Sequence, residues 1–336
     1  MKAAILKELN KPLEIQDVEL TDLKVGQVLV KILVSGLCGA QLHEIRGHKG
    51  NAKFLPHLMG HEGCGIVQEI GPGVTTVNKE DKVVMHWRTG EGIESPFPEY
   101  ILNNKKITSG KVTTLSEYSI VSENRLTTVP NDTPEDLCAL LGCGLTTALG
   151  VIDNEINLKF GESLMVIGCG GVGLNLIQGA ALRSACPIIG VDTSEDKREK
   201  AISLGATYFF NTRKESLSVS DIDVIIDTTG NIAVIAKASN CLSESGRMIL
   251  VGQPPPNQTL QIPNGVQLFS GKGKTIKATQ GGQTNPTEDI PRYVRMHKAR
   301  ILDISEIITH TFNLNQVNEA FELLKSGIAG RIMIKT

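Results

Sequence analysis

Aromatic residues make up only 4% of this 336-residue chain, with a single tryptophan among them. That scarcity leaves little from which to build a stacking platform for single-stranded nucleic acid. An excess of either charge is lacking too. The formal net charge is −2, so neither nucleic acid nor an anionic membrane has an electrostatic footprint to recognise. No apolar run is long enough to span a bilayer. The opening MKAAILKELNKP has no apolar h-region and no small-residue cleavage site, so no signal peptide is expected. A disulfide framework is missing as well: the seven cysteines are scattered and odd in number, which suits reduced thiols in a cytoplasm. Internal repeats and low-complexity segments are absent.

The length exceeds what one core usually organises, so two domains are expected. Residues 1–150 read as short strands broken by turns. LVKILVSG (29–36) and GCGIVQEIG (63–71) are β-branched apolar runs, with VGQ (25–27) and GPGV (71–74) as turn signals. From about 151 the pattern changes. SLMVIG (163–168), PIIGVD (187–192), DVIID (223–227) and GRMILVG (246–252) are compact buried-strand runs. Between them lie helical segments such as 172–185 and 194–205, an alternation that indicates a parallel sheet with crossover helices. Helical 286–299 and 314–327 and a final strand, RIMIKT, complete the chain. The expected layout is a β-rich domain over 1–150 and 285–336 interrupted by an α/β domain over 151–284.

SLMVIGCGGVGLN contains G-x-G-x-x-G at Gly168, Gly170 and Gly173, between an apolar strand and an apolar helix. In that setting Gly168 permits a tight turn, Gly170 lets a pyrophosphate approach the backbone, and Gly173 lets helix and strand pack closely. With Gly171 and Val172, the helix start offers N–H donors and positive dipole to phosphates. Asp192 ends the next strand, nineteen residues after Gly173. A carboxylate there accepts from ribose hydroxyls and repels a 2′-phosphate, which favours NAD over NADP. Lys197 and Arg198 come next. Lys197 is a candidate for the coenzyme, though solvated helix surface is the plainer reading of both. Asp227 is another strand-end acid, equally readable as a turn residue.

A second constellation is dispersed. Cys38 stands in GLCGAQLHEIRG, His61 and Glu62 in MGHEGCG, and Cys143 in LLGCGLTTALG. Two cysteines and a histidine suit zinc, and three protein ligands with a fourth position open are catalytic in character. Spacing alone leaves the question open, because isolated cysteines usually act as small hydrophobes. Cys64, Cys138, Cys169, Cys186 and Cys241 are read that way.

Taken together, Cys38 after an apolar strand, GHEGCGIV (60–67), GCGLTTALG with Cys143, GCGGVG with Asp192, and HTFNLNQVNEAFELLKSG (310–327) resemble the medium-chain dehydrogenases of the zinc alcohol dehydrogenase family. Order and distances agree over essentially the whole chain. The resemblance implies an α/β architecture: a GroES-like β-rich catalytic domain plus a Rossmann, doubly wound parallel-sheet domain. It implies Cys38, His61 and Cys143 as zinc ligands, with Glu62 behind the metal as a supporting group or occasional ligand. It further implies NAD, a small alcohol or carbonyl substrate (a polyol or sugar derivative among the options), and a homodimer or homotetramer. A zinc-free NADPH-dependent quinone or enone reductase of the same fold, or a non-catalytic nucleotide-binding relative, are the alternatives.

Two departures stand out. Many members carry a four-cysteine lobe for a structural zinc, but no cysteine lies between Cys64 and Cys138, so one catalytic zinc and no structural zinc is expected. In its place runs 87–111, where Trp87, Arg88, Tyr100, Lys105 and Lys106 are candidates for a substrate mouth, with a surface loop as the plainer reading. Second, the family usually has Ser or Thr two residues after the first cysteine. Here Ala40 has no hydroxyl, and Gln41 replaces an acid often found beside it. His43 falls where some members keep the outer histidine of a proton relay. A water or the coenzyme ribose would then have to bridge to it. Thr146 and Thr147 are candidates for the nicotinamide side, with helix capping as the equal reading.

Overall fold

The computed structural model describes residues 1–336. It divides into two compact units, Met1–Thr146 with Asn285–Thr336, and Thr147–Thr284.

The first unit is mainly β. A six-stranded sheet runs in the order Glu14–Asp17, Lys2–Leu6, His57–Leu58, Lys105–Thr108, Glu99–Leu102, Glu19–Leu20. A seven-stranded sheet is ordered Leu126–Thr128, Lys82–His86, Glu62–Ile70, Gln27–Leu37, Arg331–Lys335, Ile308–Asn313, with Tyr118–Ser122 also paired to Gln27–Leu37. Gln27–Leu37 is central because most side chains along it are apolar or small and eight of the eleven are buried. Its register gathers strand ends at one place. Ser35 faces Gly63 on the antiparallel neighbour, and Leu37 faces Ile332 on the other side. The end of one strand therefore lies beside the start of two others. Leu37, Ile332, Ile334 and Met59 join Val317 and Phe321 of the helix Val317–Ser326 in one core.

The second unit is a six-stranded, all-parallel sheet in the order Tyr208–Asn211, Ile188–Asp192, Leu164–Ile167, Ile222–Asp227, Leu242–Leu250, Thr275–Ala278. Strand order reverses between Leu164–Ile167 and Ile222–Asp227, the switch point at which open α/β sheets take ligands. The core is aliphatic: Met165, Ile167, Ile189, Val191, Ile225 and Met248 are all buried. No single helix in the chain is long and apolar enough to cross a membrane.

The segment 87–111 is partly built into the first unit. Tyr100 is fully buried; its hydroxyl accepts the Ile120 N–H at 2.8 Å. It is a core residue, which corrects its place among the substrate-mouth candidates. Lys105 and Lys106 are exposed on the hairpin Glu99–Leu102/Lys105–Thr108, and Lys106 pairs with Glu99 at 3.2 Å. Trp87 packs on a core cluster, with Arg88 above its ring. The turn at 91–94 is held by buried Glu123, whose carboxylate accepts the N–H groups of Ile93, Thr75 and Thr76.

Candidate metal centre and coenzyme turn

Three elements deliver the metal candidates. Cys38 immediately follows Gln27–Leu37 and His61 immediately precedes Glu62–Ile70, so antiparallel pairing sets them side by side. Cys143 stands between the helices Glu135–Leu141 and Gly144–Gly150. A Cβ on neighbouring Gly142 would meet the Glu62 Cα at 2.8 Å, so only glycine lets this junction approach so closely. Ligand atoms of Cys38, His61 and Cys143 all lie within 4.8 Å of one another. Tetrahedral zinc with sulfur and nitrogen donors needs ligand atoms about 3.5–3.8 Å apart, so the set fits with small adjustments.

The protonation pattern matches the donor set. A hydrogen bond from Cys143 holds the Cys38 thiol well below the ordinary thiol range, with burial opposing and His61 and the Arg331 charge assisting. Its bond to Cys38 and its own burial push Cys143 well above that range. For His61, burial opposes the charged ring, but the Cys38 hydrogen bond and the charges of Cys38 and Glu62 outweigh it and raise the pKa. The three side chains thus pull on one another's protons, which a divalent cation held by them would displace.

Glu62 is not part of that cluster. Its carboxylate accepts from Arg331 Nη1 at 2.8 Å and from the Gly144 N–H at 3.2 Å, and it is fully buried. Burial raises its pKa while Arg331 works the other way. Of the two roles that the resemblance implies for Glu62, a group behind the metal or an occasional ligand, its contact with the guanidinium is in keeping with the first. Arg331 also donates to the Leu37 carbonyl at 2.9 Å, tying three of the strands that build the site. Arg331 was not singled out by sequence pattern. The available signal was a cation opening the apolar run RIMI of the final strand, a position that demands a buried partner.

Gln41 takes over at the start of the helix Gly39–Ile45, its Oε1 accepting the Cys38 N–H at 2.8 Å. His43, half-buried in the same helix, lies 3.2 Å from His48, Nδ1 to Nδ1. The Thr146 hydroxyl donates to the Cys143 carbonyl at 3.0 Å, a local helix bond, and Thr147 is buried.

In the second unit the glycine pattern has the expected shape. Gly168 has φ +89°, and an added Cβ would overlap the Thr228 hydroxyl. A Cβ on Gly173 would overlap the Gly168 carbonyl oxygen, so helix and turn close only without one. At Gly170 a Cβ would meet nothing within 4 Å, leaving the backbone open to a ligand. Gly171, Val172 and Gly173 start the helix Gly171–Leu182, whose N-cap has no side-chain bond to its N–H groups. Asp192 Oδ2 accepts the Cys169 N–H at 2.7 Å, and Oδ1 accepts those of Thr193 and Ser194. Lys197 is buried beside Asp192. That corrects its reading as solvated surface. Arg198 is bound to Glu195 and to the Phe209 carbonyl. Asp227 accepts from Thr229 and Gly230, the role of a turn residue. Cys186 is exposed, unlike the four other cysteines read as small buried side chains.

Two family models match: an alcohol dehydrogenase GroES-like domain over residues 24–131 and a zinc-binding dehydrogenase over 171–299. An NDMA-dependent alcohol dehydrogenase of Amycolatopsis methanolica is 31% identical over 369 aligned positions, covering 99% of this chain and 98% of that protein. An S-(hydroxymethyl)glutathione dehydrogenase of Paracoccus denitrificans is 29% identical, with 99% of both chains covered. Two solved structures share the fold. An alcohol dehydrogenase zinc-binding domain protein from Burkholderia ambifaria has a TM-score of 0.91 at 24% identity. Benzyl alcohol dehydrogenase from Acinetobacter calcoaceticus has 0.89 at 24%. Each covers 99% of this chain and is itself covered to 98%. The chain belongs to the zinc-containing medium-chain dehydrogenase/reductase family. Within it, the chain is an alcohol oxidoreductase.

Proposed function

We propose that the chain moves hydride between a primary or secondary alcohol (or its carbonyl product) and NAD(H), using one zinc held by Cys38, His61 and Cys143. The observation that carries this reading is the gathering of those three donors within 4.8 Å from distant parts of the chain. Zinc in this set would supply Lewis-acid polarisation of the substrate oxygen, and the nicotinamide the hydride acceptor. The two cysteines would offset the cation's charge. Arg331 and Glu62 form an ion pair behind them that fixes the strand ends carrying Cys38 and His61. The N–H groups at Gly171, Val172 and Gly173 would bind pyrophosphate, and Asp192, held against the glycine turn, would accept from ribose hydroxyls. Buried Lys197 would balance Asp192 rather than reach a phosphate. His43 would take the substrate proton through a water, since Ala40 has no hydroxyl. A polyol or sugar derivative is the proposed substrate type. A homodimer or homotetramer in the cytoplasm rests on the resemblance and on the thiol pattern.

The test is a screen of alcohols, polyols and sugar alcohols with NAD and NADP in parallel, with zinc quantified in the same sample. Turnover with NAD at one zinc per chain supports the reading. Stoichiometric zinc-free protein with full turnover overturns it. Changing Asp192 to Gly should weaken NAD more than NADP; an unmoved preference contradicts the coenzyme assignment.

A further inference from the structure

The helix Gly39–Ile45 ends in a turn that returns on itself. Gly47, at φ +73°, donates its N–H to the Glu44 carbonyl at 2.9 Å, and the His48 N–H bonds the His43 carbonyl at 2.9 Å. That clip brings the two imidazoles together: ring centroids 5.4 Å apart, planes tilted 57°, and the Nδ1 atoms 3.2 Å from each other. Two Nδ1 atoms facing at this distance can bond only if one carries a proton and the other a lone pair. We infer that His48 is a positioning residue for His43: its Nδ1 accepts the His43 Nδ1–H and so fixes the His43 tautomer whose lone pair is on Nε2.

This role rests on the proposed function, in which His43 takes the substrate proton. The charged and titratable groups that act most strongly on His43 are His48, Arg46, Lys49 and Cys38. Burial, and the charges of His48, Arg46 and Lys49, favour a neutral ring there, and that of Cys38 opposes. A neutral ring with a proton on Nε2 could not accept another at that atom. With Nδ1–H committed to His48, Nε2 is the free base. When it accepts, the new Nε2–H bond makes His43 a cation whose charge is shared along Nδ1–H···Nδ1. Loss of one proton from the half-exposed pair to solvent restores neutrality. A second ring thus supports the acceptor in a site where Ala40 contributes no hydroxyl. It is the arrangement of a base held by a third group.

The experiment pairs ring-nitrogen NMR of histidine-labelled protein with kinetics. In wild type, His43 should show a protonated Nδ1 and a pyridine-type Nε2. His48→Phe should give mixed His43 tautomers, and His48→Asn, which keeps an acceptor oxygen, should restore most of the preference. In turnover, H48F should lower kcat on the order of tenfold, leave KM for the alcohol nearly unchanged, and shift the acidic limb of the pH profile; H48N should recover most of kcat. An unchanged tautomer and an unmoved limb in H48F, in protein with an unaltered urea midpoint, would overturn the inference. So would a wild-type His43 protonated on Nε2. Absence of turnover with every alcohol in wild type sinks the dehydrogenase reading instead, and the NMR result still decides this one.

Discussion

Glu62 and Arg331 show how a buried charge pair is made possible by what surrounds it. An added Cβ at Gly36 would sit 2.8 Å from the Glu62 carboxyl carbon, and one at Gly144 would overlap the Arg331 guanidinium. Glycine at both positions leaves room for two charges that are each almost wholly inside the protein. Removing one partner strands the other, which typically costs 3–5 kcal/mol. Arg331→Met should therefore lower unfolding free energy by about 3–5 kcal/mol in urea titration. Gly144→Ala should act in the same direction by displacing the guanidinium. A loss below about 1 kcal/mol in both variants would mean the pair is not what holds these strand ends.

At the scale of elements, the glycine turn permits a sharper separation of binding from folding. Gly170→Ala places its methyl in open space at a backbone φ of −77°, so stability should stay within about 0.5 kcal/mol while NADH affinity falls. Gly173→Ala drives its methyl into the Gly168 carbonyl and should lower the melting temperature as well as binding. Fluorescence titration with NADH and a thermal scan of both variants check this; equal stability of the two contradicts the packing argument. This turn was legible in the sequence because its mechanism is local, with strand, glycines and helix contiguous. The four central strands of the parallel sheet were legible too, since burial on both faces writes them as unbroken apolar runs. The edge strands Tyr208–Asn211 and Thr275–Ala278 were not. They are short, and most of Thr275–Ala278 is exposed, so the apolar signal is lost. Convergence of Cys38 with Cys143 was legible only through resemblance, because no local spacing encodes which strand ends meet. The burial of Lys197 and the His43–His48 contact depend on turns that return the chain, and single-sequence patterns do not report those.

For the molecule as a whole, acid stability carries a readable signature at His86. Burial pushes its pKa down to about 4, against the pull of its bond to the Arg88 carbonyl. Its Nδ1 donates to that carbonyl at 2.8 Å and its Nε2 accepts from the Thr127 hydroxyl at 2.9 Å, so the folded ring is neutral. The unfolded ring takes its proton near an ordinary pKa of about 6.5. This contribution is therefore complete above pH ~6.5 and is lost as pH falls towards 4, to a total of roughly 3 kcal/mol. Urea midpoints from pH 7 to 4.5 should fall in wild type and fall less in His86→Gln; parallel curves contradict the assignment.

The metal centre binds three segments of the first unit into one site, and the functional reading stands on it. The most direct measurement is native mass spectrometry of wild type and Cys38→Ser, with NADH binding followed on the same preparations. The account predicts one zinc per wild-type chain, none in the variant, no variant turnover, and unchanged NADH affinity. Full zinc occupancy and full turnover in Cys38→Ser would contradict it.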